Sequence, residues 1–121
     1  MMRRGLMGLS VLLAAAAPAR ESVRVTFRHM PTAGTLRAFL PGSFNDWGPN
    51  TAGFIDPNAP SRMTWIDAKG YYVRIVPLVS GTTYNYKFHE HADASGTSYR
   101  WITDPLNPRI NTADNHNSLI T

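Results

Sequence analysis

In the stretch TYNYKFHEH, residues 83–91, aromatic and polar side chains alternate with a period of two. Tyr84, Tyr86 and Phe88 fall on one face of an extended chain, with Asn85, Lys87, His89 and His91 on the other. A helix, whose faces repeat about every 3.6 residues, would scatter these two sets around its circumference. The pattern therefore demands a strand with a core on one side.

The same period recurs elsewhere. SVRVTFRH sets Val23, Val25 and Phe27 against Arg24, Thr26 and Arg28, and TLRAFL repeats the theme less cleanly. YYVRIVPL is mostly apolar and β-branched, which predicts a strand buried on both faces. SYRWITD and NSLIT read as two more short strands. Between these runs stand turn formers: Pro31 and Gly34, residues 41–60, Ala68-Lys69-Gly70, Ser80-Gly81, Ala94-Ser95-Gly96 and residues 105–111. No stretch of about ten residues carries an amphipathic helical pattern, so the expected fold class is all-β, a sandwich. Segment 48–61, GPNTAGFIDPNAPS, exceeds a hairpin loop, and loops of that length tend to be functional or mobile.

Residues 1–19 read as a secretory signal peptide. Arg3 and Arg4 precede an apolar run, GLMGLSVLLAAAA, and Ala17-Pro18-Ala19 fits cleavage after Ala19. The run is shorter than the roughly 18 apolar residues expected of a membrane-spanning helix. Residues 20–121 then form one domain, secreted or periplasmic, with no membrane attachment in mature form. Setting aside the two leader arginines, the 12 basic residues of the chain become 10 against 8 acidic ones. The arginines are scattered, without the basic run of a nucleic-acid or membrane patch. With no cysteine, the domain holds together by packing alone, and thiolate catalysis is excluded.

Catalytic signatures are missing: no Gly-x-Ser-x-Gly elbow, no His-Glu-x-x-His, no phosphate-binding glycine loop. A glycosidase needs two carboxylates across the scissile bond. Asp46, Asp56, Asp67, Asp93, Asp104 and Asp114 all lie in turn-like sequence, where Asp closes turns. An acid–base role for Asp46 is the weakest of the readings. His89 and His91 project from one strand face, which reads as polar surface. Glu90 points the other way and nothing in the sequence brings His29 close, so a third metal ligand is lacking and no metal or cofactor is expected.

What remains suits sugars. Pyranose rings offer a C–H face to an indole and hydroxyls to Asn and Lys. Trp47, Trp65 and Trp101 are either such platforms or core and rim aromatics. A stacked ring is worth roughly 1.5 to 2 kcal/mol. Two of them, less ordering costs, give binding on the order of micromolar to millimolar.

FLPGSFNDW, YNYKF, RWITDPLNP and DNHNSLI occur in that order. In this series the chain resembles the family 48 carbohydrate-binding modules, the glycogen- and starch-binding domains of the AMP-activated protein kinase β-subunit and of isoamylases and branching enzymes. The likeness runs from about Val23 to Ile120. It implies an immunoglobulin-like β-sandwich of about seven short antiparallel strands that binds α-glucan on one side. It further implies that Trp47 and Trp101 are stacking platforms, that Lys87 donates hydrogen bonds to glucose hydroxyls, and that Asn117, with its neighbour Asn115, completes the site. Trp65 has no counterpart and reads as packing or rim.

Segment 48–61 is longer than the compact family form, and HEHADASGTSYR replaces a tight turn. Either could reshape the groove. The main expectation is a non-catalytic module whose partner is an α-glucan polysaccharide or oligosaccharide. The alternative is an accessory domain that packs against a catalytic amylase or esterase domain, as the end of the chain at a last strand would suit.

Overall fold

The computed structural model describes residues 20–121. The predicted signal peptide and its cleavage point lie outside them. Among the described residues no helix is long and apolar enough to cross a membrane.

The domain is all-β, as expected. Its strands are β1 (Ser22–His29), β2 (Arg37–Phe39), β3 (Thr64–Ile66), β4 (Tyr71–Val79), β5 (Tyr84–Tyr86), β6 (Phe88–His91), β7 (Tyr99–Ile102), β8 (Ile110–Asn111) and β9 (Asn117–Ile120). They form three small antiparallel sheets of order β1-β4-β3, β2-β6-β7 and β5-β9-β8.

Two segments that change partners join the sheets into a sandwich. Residues 61–63 bond to the β2 side, with Leu40 N–H donating to Ser61 O at 2.9 Å and Met63 N–H to Ala38 O at 2.8 Å. Thr64–Ile66 then pair with β4. The second is the 84–91 run, broken at Lys87, whose N–H donates to Pro41 O at 3.0 Å. Before the break the chain pairs with β9, and after it with β2 and β7. This break and the short β8 account for nine strands where about seven were expected.

Tyr86 and Phe88 face inward, as their alternation predicts, and meet Phe27, Leu40, Met63, Tyr72 and Leu78 in the main core. The Phe27 and Tyr86 rings meet edge to face at 5.0 Å. In β4 only Tyr72 and Leu78 are buried, and Ile75 is 47 % exposed, so this strand is not covered on both faces as its composition suggested. Its two edges are paired, by β1 along Tyr72–Val79 and by β3 at Tyr71–Val73, but no layer covers its outer face, which meets solvent.

A larger departure concerns His89 and His91, which are completely buried rather than polar surface. The face they occupy is covered by segment 48–61, whose Ile55 and Ala59 pack with Phe39 into a second, smaller core beside Trp101. His29, which the sequence could not bring near, lies 2.6 Å from Glu90 across the sandwich.

Glu90, also fully buried, accepts four hydrogen bonds. Oε2 takes those of His29 Nε2 and Thr32 N–H (3.0 Å), and Oε1 those of Thr35 Oγ1 (2.9 Å) and Arg100 Nε (2.7 Å). Burial pushes its pKa up, but the bonds from Thr32, Arg100, His29 and Thr35 outweigh it and hold the carboxyl at about 2, below 4.5. A buried carboxylate this well satisfied is costly to break, by about 3–5 kcal/mol. Because the folded pKa is depressed, the stabilisation is complete above pH 4.5 and is lost as the pH falls through about 2. Glu90→Gln, which sets an amide donor against two of the four donors, is expected to lower stability by about 3 kcal/mol at neutral pH. Urea denaturation of this variant should also show a smaller acid-side decline between those two pH values than that expected of the native chain.

Candidate functional site

The outer face of the β2-β6-β7 sheet divides in two. Register places Arg37, His91 and Tyr99 in one row and Phe39, His89 and Trp101 in the next. Segment 48–61 covers these rows. Its Gly53 carbonyl accepts from Trp101 Nε1 at 3.1 Å, and His89 Nε2 lies 3.2 Å from the same oxygen. His89 stands edge to face with Trp101 at 4.7 Å and stacks on Tyr99 at 5.0 Å. Trp101 is thus fixed by its edge, with its ring half-buried.

Burial, aided by the nearby His91 and opposed by the Gly53 carbonyl, lowers the His89 pKa from 6.5 to about 4. His91 is lowered too, by burial and by Arg37, which donates to its Nδ1 at 2.8 Å. Both rings are therefore neutral at pH 7. Protonation of His89 weakens the fold as the pH falls from 6.5 towards 4.

Where this cover ends, a cleft opens. Continuing the pairing of Ser118 with Tyr86 sets Asn117 opposite Lys87, while Trp101 lies diagonally from Lys87 across β6 and β7. Side chains in such pairs share a face. The cleft has a volume of about 630 Å³ and is lined by Trp47, Lys87, Trp101 and residues 114–117. All five sequence-predicted positions, Trp47, Lys87, Trp101, Asn115 and Asn117, line it. No residue of segment 49–61 does, so this loop backs Trp101 without closing the cleft.

Two turns of the same unusual kind present the rims. Asn45 and Gly48 close a turn through Gly48 N–H to Asn45 O, 3.2 Å, with Asp46 and Trp47 at φ 55° and 56°. Asp114 and Asn117 close another through Asn117 N–H to Asp114 O, 3.1 Å, with Asn115 and His116 at φ 51° and 54°. Positive φ at both central residues is the mirror-image β-turn, whose second centre normally takes Gly. Here those places hold Trp47 and His116. Four of the five non-glycine residues with positive φ among those described belong to these two turns. Each such residue costs on the order of 1 kcal/mol, and strain of this type gathers at functional sites.

Asn45 holds the first turn against that strain. Its Oδ1 accepts from Gly42 N–H (2.9 Å) and Gly48 N–H (3.1 Å), and its Nδ2 donates to Leu40 O at 2.7 Å. Asn50 Nδ2 secures the Trp47 carbonyl at 2.8 Å. Gly42 is required by proximity: a Cβ there would lie 2.7 Å from the Phe44 ring and 2.9 Å from Asn85 O. The second turn is tied down by Thr103 Oγ1 donating to His116 O at 2.9 Å, and Asn117 Nδ2 donates to Asp114 Oδ2 at 3.3 Å.

Asp114 and His116 were not anticipated as lining residues. The signal for them was their place in the polar DNHN run between two short strands, beside two asparagines already singled out. The Lys87 ammonium has no ion-pair or hydrogen-bond partner among the described residues, and Asp114 supplies a single carboxylate. Among the described residues no three His, Cys, Asp or Glu side chains are grouped to hold a metal ion. The cleft can therefore stack a ring on indole, donate from an ammonium and amides, and accept at one carboxylate.

Comparison with protein-family models and with curated proteins gives no match for this chain.

Neither core cluster contains Trp47 or His116. Trp47→Gly and His116→Gly should each relieve one left-handed residue and leave stability unchanged or raised by about 1 kcal/mol in urea denaturation. A loss of more than about 2 kcal/mol on Trp47→Gly would mean that the ring packs as part of the core.

Proposed function

We propose that this domain is a non-catalytic module that binds α-glucan in the cleft between Trp47 and Trp101. One observation carries the reading. Residues singled out from four separate stretches of sequence, by likeness to family 48 carbohydrate-binding modules, line one open cleft of about 630 Å³. That volume suits an oligosaccharide segment, being within the range of small-molecule sites, about 300–1,000 Å³.

The chemistry of the lining supports the same ligand. A glucose ring stacks its C–H face on indole, and its hydroxyls need donors and acceptors together. Lys87 and Asn117, opposite one another in the register, offer donors at one edge, while Asp114 accepts. Trp101 Nε1 is occupied by Gly53 O, so that residue contributes its ring face.

A binding rather than hydrolytic role is supported by the disposition of the carboxylates. Glu90 is sealed within its four hydrogen bonds, and Asp56, Asp93 and Asp104 accept hydrogen bonds within their own turns. Glycoside hydrolysis needs two opposed carboxylates, and Asp114 is a single one. Export and a fused amylase or esterase partner are compatible with this role and belong to the same proposal.

Affinity electrophoresis of the full chain in gels containing glycogen or soluble starch tests the reading. Retardation is expected, with dissociation constants on the order of micromolar to millimolar for maltooligosaccharides. Trp47→Gly and Lys87→Ala are each expected to weaken binding about tenfold or more, the loss of one stacked ring or one charged hydrogen bond. Unchanged mobility of the native chain at high polysaccharide concentration overturns the proposal and favours an accessory packing role.

A further inference from the structure

A second depression, of about 340 Å³, lies where residues 61–66 pass from β2 to β4. Leu36, Arg37, Arg62, Met63, Trp65 and Tyr72 line it, and no carboxylate is among its lining residues. Trp65, which the sequence left as packing or rim, is 43 % exposed here. Its ring leans at 58° on Tyr72, centroids 4.9 Å apart, and its Nε1 donates to Asp67 Oδ1 at 3.3 Å. The indole is thus held by one edge and one neighbour while the rest of its surface meets solvent.

Three polar groups converge on this platform. Tyr72 is 6 % exposed as a residue, and its hydroxyl is not among the buried unpartnered atoms of the described residues, so its polar tip reaches the open depression that the residue lines. Burial pushes its pKa up, with the Glu90 carboxylate in the layer behind adding to the rise, and Arg62 and Arg37 both lie close enough to oppose the shift. Arg37 is fixed by His91 Nδ1 at 2.8 Å and Ala94 O at 2.9 Å, and Arg62 by Pro57 O at 3.2 Å. Neither arginine has a carboxylate partner among the described residues, where both ion pairs belong to Glu90. Each guanidinium has five N–H donors, so both retain donors for a ligand.

From this we propose a second binding site, for a sugar unit that carries an anionic group, with the ring on Trp65 and the anion at Arg62 and Arg37. Guanidinium groups match the planar oxygens of carboxylates and phosphates, and the Tyr72 hydroxyl completes the contact. A neutral sugar gives the arginines nothing to neutralise. This site is separate from the Trp47–Trp101 cleft and stands whether or not that cleft binds glucan.

The test is NMR of the full chain labelled with ¹⁵N, reading the three indole N–H signals during titration with glucuronate, glucose 6-phosphate and neutral glucose. The Trp65 signal is expected to move with the anionic sugars and not with glucose, and the shift should weaken as salt is added. Response to glucuronate alone assigns a carboxylate, response to glucose 6-phosphate alone assigns a phosphate ester, and response to both assigns their shared charge. Arg62→Ala should weaken binding about tenfold and Tyr72→Phe, which preserves the ring, about threefold. Unshifted Trp47 and Trp101 signals in the free variants show that the fold is kept. An unmoved Trp65 signal with both anions, equal movement with glucose, or unaltered binding by both variants overturns the proposal.

Discussion

The carbonyl oxygen of Gly53 holds the molecule's outer layer in place. It takes one hydrogen bond from Trp101 and a second contact from His89, and so ties a long irregular segment to the middle of a sheet. The neighbouring Ile55 and Ala59 fill the space over Phe39, which turns what would be a solvated sheet face into a second small core. Gly53 itself, at φ 94°, lies where a Cβ would come within 3.0 Å of the Tyr99 hydroxyl. A side chain there would be strained in its backbone and crowded at its tip.

This clamp decides where the cleft lies. Along β6 the outward positions are His89 and His91, and Lys87 precedes them at the break between β5 and β6. The segment covers the two histidines and stops before the lysine. At that boundary Trp101 is backed by protein and open in front, and the turns carrying Trp47 and residues 114–117 rise on either side. Fold and site thus share one origin: the strand that changes partners at Lys87 carries the covered rows after the break and the open position at it.

Much of this was legible in the sequence because it is local. Period-two alternation gave β1, β5, β6 and the outward position of Lys87, and turn residues marked the loops that carry Trp47 and the asparagines. The rest depends on contacts distant in sequence. His89 and His91 look like surface until segment 48–61 lies over them, and no local pattern records that covering. Glu90 and His29 meet from two layers of the sandwich, 61 positions apart. β4 is central in its sheet, but its composition suggested cover on both faces, and only Tyr72 and Leu78 are buried. Asp114 reads from the sequence only as a turn-closing carboxylate and His116 is not singled out, because their place in the cleft comes from turn geometry rather than residue type.

The central claim is that the two indoles flanking Lys87 act together on one ligand. Titrating the full chain with maltoheptaose while following the indole N–H signals tests this directly. The account predicts that the Trp47 and Trp101 signals move together along one saturating curve while Trp65 stays still. Movement of Trp65 alone, or of none of the three at saturating sugar, would contradict it.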